Sequence, residues 1–131
     1  RQDDVAIHHN GLSSEIHCTD AEGRLILADA LSYMEQKHKP DVIVDLATLT
    51  GACVVALGHY FSGIMGNNDE LVEKLIQTGK SSGDRLWPLP MHKHFKKAVK
   101  SKIADICNVG APNYGAGTIT AAEFLTAFVT R

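Results

Sequence analysis

Short apolar runs alternate along this chain with longer stretches of helical periodicity, and that alternation constrains the fold more than any other feature. From Glu22 to about Lys37 the residues Leu27, Leu31 and Met34 recur at helical spacing, and the pattern stops before Pro40, predicting a helix. Val42, Ile43 and Val44 then follow without polar interruption, so Asp41 to Thr50 reads as a strand buried on both faces of a parallel sheet. Ala52 to Leu57 is helical or extended, and Phe61 to Gly66 reads as a further short strand. A helix follows, with Asn67 as its cap, Glu70 three residues on, and Leu71, Val72, Leu75 and Ile76 as its apolar stripe until Gly79 to Gly83 ends it. Strand, helix, strand, helix predicts an α/β fold.

The two ends carry different signals. Asp4 to Ile7, Asn10-Gly11 and Glu15 to Cys18 read as a β-hairpin, because Asn-Gly supplies the positive φ angles of a primed turn. His8, His9 and His17 decorate it without paired metal-ligand spacing, so solvated strand faces are the expectation. After a Pro-punctuated connector at Leu86 to Pro90, Met91, Phe95, Ala98 and Val99 would line one helix face, with Lys93, Lys96, Lys97 and Lys100 opposite. Ala104 to Gly117 reads as a loop and Thr118 to Val129 as an Ala-rich helix.

Composition narrows the function classes. The 131 residues, 44% apolar and 21% charged, suit one compact domain able to bury a core without disulfides or a structural metal. Thirteen Lys and Arg against fifteen Asp and Glu leave a net charge of -2, so only the Lys93 to Lys102 stripe could serve a nucleic acid, and a solvated face is the commoner use. Cys18, Cys53 and Cys107 form no CxxC pair, which fits a reducing compartment. No apolar run approaches a membrane span and RQDD is unlike a signal peptide, so a cytoplasmic protein with no membrane partner is expected. A first residue of Arg1 rather than Met suggests a piece of something longer.

The sharpest constellation is Asp20, Glu22 and Arg24, where the hairpin gives way to the first helix. Carboxylates separated by small residues can converge on one point as ligands for a divalent ion, and a guanidinium beside them could hold an anion or oxyanion. The same residues could equally cap a helix start and neutralise one another. By composition alone both readings stay open.

Here the sequence resembles a known family. TDAEGRL at Thr19 to Leu25, ATLTGAC at Ala47 to Cys53 with ALGH after it, SGDRLWPLP at Ser82 to Pro90, IADICNVG at Ile103 to Gly110 and AGTITAAEFL at Ala116 to Leu125 resemble, in order, the leucyl (cytosol) aminopeptidases. The resemblance implies an α/β fold with a mixed, mainly parallel sheet flanked by helices, residues 1–131 being an incomplete part of a C-terminal catalytic domain. It implies a hydrolase acting on peptide N-termini with two divalent ions, zinc or manganese, and bicarbonate as a further ligand. Asp20 and Glu22 would hold metal, Arg24 would be catalytic, and Thr48, Leu49 and Gly51 would bind the substrate backbone. A homo-hexamer acting on peptides is the expected assembly. Cys18 stands where the family commonly has Asn, which bears on the positioning of the loop.

Two family segments are absent from this sequence: the one of type GKGITFDSGG, which supplies a lysine, two aspartates and a second lysine, and the closing strand of type WAHLDIAG. The expectation is therefore half a metal site, inactive by itself; a non-enzymatic homologue serving as a binding or scaffold subunit is the alternative. With cover missing, Ile43, Val44, Phe124 and Phe128 are expected to leave apolar surface, giving self-association or marginal folding.

Overall fold

A computed structural model describes residues 1–130 of the chain. The N-terminal hairpin forms from β1 (Val5–Ile7) and β2 (Ser13–Glu15), antiparallel with Val5 opposite Glu15. Its loop is wider than the two-residue turn expected. His8 and Leu12 close it through the His8 N–H, Gly11 donates to the His8 carbonyl, and Gly11 alone of the loop takes a positive φ, 88°. That is a three-residue connection in which glycine fills the left-handed position. The register consequently ends β2 at Glu15, so Ile16 to Cys18 lie beyond the strand rather than in it.

A 3-10 turn (Thr19–Ala21) leads into α1 (Glu22–His38), which Lys39 closes in a left-handed conformation just before Pro40. Next come α2 (Ala52–Leu57), β3 (Ser62–Ile64), α3 (Asp69–Ser82) and β4 (Leu86–Pro88). Strands β3 and β4 pair in parallel, so β3-α3-β4 is a βαβ unit. A short β5 (Ile106–Cys107) joins β2 in parallel, and α4 (Gly117–Thr126) follows. The chain is α/β with mixed sheets of few strands. Ala28 and Leu31 of α1, Val99, Ile106 of β5, and Phe124, Leu125 and Phe128 at the C-terminal end form the main core.

Several expectations are corrected. Asp41 to Thr50 is not a strand: no strand lies alongside it among the described residues, and Leu46 stands 96% exposed. An apolar run becomes a strand only where a neighbour takes up its backbone groups. The segment around Met91 to Lys100 is not an α-helix but a 3-10 turn, Phe95–Val99. The Ala98 carbonyl, which a continuing helix would give to Lys102, instead accepts from Ala111 N–H at 2.7 Å, while Ala98 and Val99 are buried, and the lysines therefore do not share one helical stripe. Asn68, not Asn67, caps α3, its side chain accepting from Leu71 N–H. β5 arises inside the expected loop because Ile106 and Cys107 are buried beside β2. Phe124 and Phe128 are fully buried, so of the four residues expected to leave apolar surface only Ile43 and Val44 do.

His8 also departs from expectation, being buried instead of solvated. Its ring joins Asp29 Oδ1 through Nδ1 at 3.0 Å and Ser14 Oγ through Nε2 at 2.7 Å, with the Phe128 ring edge-on at 4.7 Å. The carboxylate accepts from Nδ1, and Nε2 shares a hydrogen bond with the Ser14 hydroxyl. This is the bonding order of a hydrolytic triad, but Ser14 is wholly buried and no substrate reaches it; the trio ties the hairpin to α1. His8→Ala is expected to lower stability by about 2–4 kcal/mol, from lost packing and an unsatisfied Ser14 hydroxyl, measured by urea unfolding.

Two carboxylates fasten β2 to the segment before β5. Asp105 accepts from the Ser13 amide and hydroxyl, and Glu15 accepts from Ser101 and His17, which holds both below their ordinary values of 3.8 and 4.5. Depressed carboxylates contribute stability that is full above those ordinary values and disappears as pH falls through the folded ones. Melting temperature should therefore drop on acidification below about pH 4, and less steeply in Asp105→Asn, whose neutral amide no longer titrates.

Candidate functional site

The acidic turn comes together because the chain leaves β2, makes a single 3-10 turn and enters α1 at Glu22. Asp20 and Glu22 are exposed at the helix start, where the dipole favours negative charge, but neither caps it: no side chain accepts from the first-turn amides. Among the described residues neither carboxylate takes part in a hydrogen bond or ion pair. They line a cleft of about 380 Å³ whose opposite wall is Leu46 to Leu49.

Arg24 lines the same cleft but turns inward instead of neutralising them. It is only 6% exposed; one terminal nitrogen donates to the Asn108 carbonyl at 2.7 Å and the other, more weakly, to the Leu49 carbonyl at 3.4 Å. Its Nε is buried without a partner. Burial pushes the Arg24 guanidinium down from its ordinary value, yet arginine starts so high that the group stays charged at neutral pH. A second cavity of about 280 Å³, lined by Arg24, Thr50, Gly110 and Thr120 among others, opens on its other side. One buried cation thus faces two hollows.

The fold accordingly brings Asp20, Glu22, Arg24, Thr48 and Leu49 into one cleft. Gly51 is not in its lining; it starts α2, beyond the rim.

Asn108 carries the arrangement and was not singled out by its chemistry in the sequence. It is fully buried. Its side-chain oxygen accepts from the His17 and Cys18 amides at 2.9 and 3.3 Å, and its amide nitrogen donates to the Cys18 carbonyl at 2.7 Å. Its own amide donates to the Glu15 carbonyl at 3.0 Å, while its carbonyl receives Arg24. The only signal was a lone amide side chain inside the apolar stretch IADICNVG. Because the bonds go to the Cys18 backbone, a thiol at that position leaves the loop anchored.

The model of the cytosol aminopeptidase family's catalytic domain matches residues 1–131. The chain belongs to the cytosol aminopeptidase family. It is 52% identical over 126 residues to a probable cytosol aminopeptidase of Chloroherpeton thalassium, covering 96% of this chain and 24% of that protein. Probable cytosol aminopeptidases of Pseudomonas fluorescens and Helicobacter hepaticus are also 52% identical, over 128 and 129 residues, covering 98% of this chain in both cases and 25% and 27% of those proteins. The chain therefore spans about a quarter of the length of these curated relatives. No helix among the described residues is long and apolar enough to cross a membrane.

In this member of the cytosol aminopeptidase family, Asn108→Ala would leave two part-buried amides and a carbonyl without their partner. A loss of about 2–4 kcal/mol is expected in urea unfolding, at roughly 1–3 kcal/mol for each abandoned group less what water recovers.

Proposed function

We propose that the cleft at Asp20, Glu22 and Arg24 is part of the metal centre of an aminopeptidase, and that residues 1–131 form part of a C-terminal catalytic domain that removes N-terminal residues from peptides. The observation that carries this reading is the pair of uncommitted carboxylates sharing one cleft with a buried guanidinium whose Nε has no partner. The donor set fits: carboxylate oxygens suit zinc and manganese alike. Asp20 and Glu22 would hold two divalent ions, Glu22 from the first turn of α1 and Asp20 from the turn before it. Bound there, such ions supply Lewis acidity toward a scissile carbonyl and a water of lowered pKa.

The remaining work belongs to the chain's own groups. Arg24, fixed by the Asn108 and Leu49 carbonyls, keeps a donor free for an anionic oxygen, either bicarbonate or the oxyanion that develops during hydrolysis. Thr48 and Leu49, on the facing wall, would hydrogen-bond the substrate backbone, with Gly51 at the turn beyond. A homo-hexamer in the cytoplasm is part of the same proposal, and the exposed run from Val42 to Leu46 is surface that assembly could cover.

Two carboxylates cannot saturate two ions, and no third His, Cys, Asp or Glu joins them within ligating reach among the described residues. This favours a second reading for the chain taken alone, a non-enzymatic binding or scaffold unit. The isolated 131-residue chain should bind manganese, an ion suited to carboxylates, only weakly by calorimetry and leave leucine anilides intact. In the complete enzyme carrying this segment, Glu22→Ala should abolish turnover, while Arg24→Ala should cost on the order of a hundredfold with metal content unchanged. A near-normal rate and full metal content in Glu22→Ala would overturn the assignment.

A further inference from the structure

A second group of ligating side chains lies on the sheet, outside the cleft. Glu15 of β2 and Cys107 of β5 are direct partners in the parallel register, so their side chains stand on one face. His17 lies two residues beyond Glu15, where the chain bends just past the end of β2, and its ring turns back onto the Glu15 carboxylate. Their ligating atoms all lie within 4.8 Å of one another: His17 Nε2 is 2.6 Å from one Glu15 oxygen, and the Cys107 thiol donates to the other at 3.5 Å.

The structure assigns Glu15, His17 and Cys107 as a binding site for a zinc-type divalent ion that staples β2 to β5. Thiolate, imidazole and carboxylate are the three donor types zinc uses, and bond lengths of about 2.0–2.3 Å place tetrahedral donors roughly 3.3–3.7 Å apart, within small side-chain rotations of the spacing seen. The supporting contacts are those of a built site. Ser101 donates to Glu15 and fixes its orientation, and the His17 backbone is held by Asn108. Cys107 is 3% exposed and the Glu15 side chain 14%, whereas the His17 side chain is 40% exposed, giving the ion a way in and leaving a fourth position for water.

Without an ion the three groups satisfy one another, and burial together with Glu15 pushes the Cys107 thiol up to about 11. Binding releases the thiol proton to solvent, since the thiolate is the ligand, and His17 Nε2 binds without its hydrogen. Nothing in this assignment depends on the acidic cleft.

Cobalt(II) titration of the reduced 131-residue chain tests it, since cobalt bound to a thiolate shows a near-ultraviolet charge-transfer band. One equivalent should develop the band and zinc should bleach it. Cys107→Ser should abolish it and His17→Gln should weaken cobalt binding at least tenfold, while Cys18→Ser, Cys53→Ser and Glu22→Gln keep it. Absence of the band in the folded chain, or its survival in Cys107→Ser, overturns the site. Should Cys107→Ser fail to fold, the exposed position decides: unchanged cobalt affinity in folded His17→Gln also overturns it.

Discussion

A single buried asparagine holds the functional end of this chain together. Asn108 uses both ends of its side-chain amide on the backbone of His17 and Cys18, and its own carbonyl on Arg24, so the chain on either side of the acidic turn meets a residue more than eighty positions downstream. The side-chain bonds tie down the chain just before the acidic turn, and the backbone carbonyl shares with Leu49 the holding of the guanidinium. Buried polar networks are costly when half-satisfied and rigidifying when complete, and this one is complete apart from Arg24 Nε. In the proposed metal centre, that orphaned donor is the group an anionic oxygen would satisfy.

What the sequence disclosed followed from how local each signal was. α1 was legible because its periodicity and its stop before Pro40 need nothing from the rest of the chain. The same holds for the glycine in the hairpin, whereas the loop length and the bounds of the second strand, Ser13–Glu15 and not Glu15 to Cys18, depend on register with β1. Asp41 to Thr50 was misread for the opposite reason. Its apolar run asks for a strand on either side, and pairing is a property of neighbours that Val42, Ile43 and Val44 cannot carry themselves. The lysine-rich segment failed similarly, because the Ala98 carbonyl is claimed by Ala111, thirteen positions away.

The cleft was half legible. Asp20, Glu22 and Arg24 stood out by spacing, and the facing wall at Thr48 and Leu49 came from family resemblance, but nothing in spacing could tell whether Arg24 would pair with the acids or turn away from them. Burial settles it: the guanidinium reaches carbonyls on two other segments, which leaves the carboxylates uncommitted. His8 shows the converse error, a histidine beside a turn that becomes core because Asp29 and Ser14 satisfy both ring nitrogens. The Glu15, His17 and Cys107 group was invisible in sequence because one member arrives across the sheet, from ninety residues downstream.

The central claim is that the acidic turn and its arginine are arranged by the fold before any ligand arrives. Amide hydrogen exchange of the metal-free chain, read residue by residue, tests it most directly. The account predicts that the His17 and Cys18 amides, outside any strand but bonded to Asn108, exchange as slowly as the paired amides of β2. Exchange of those two amides at the rate of an open loop, with β2 still protected, would contradict it.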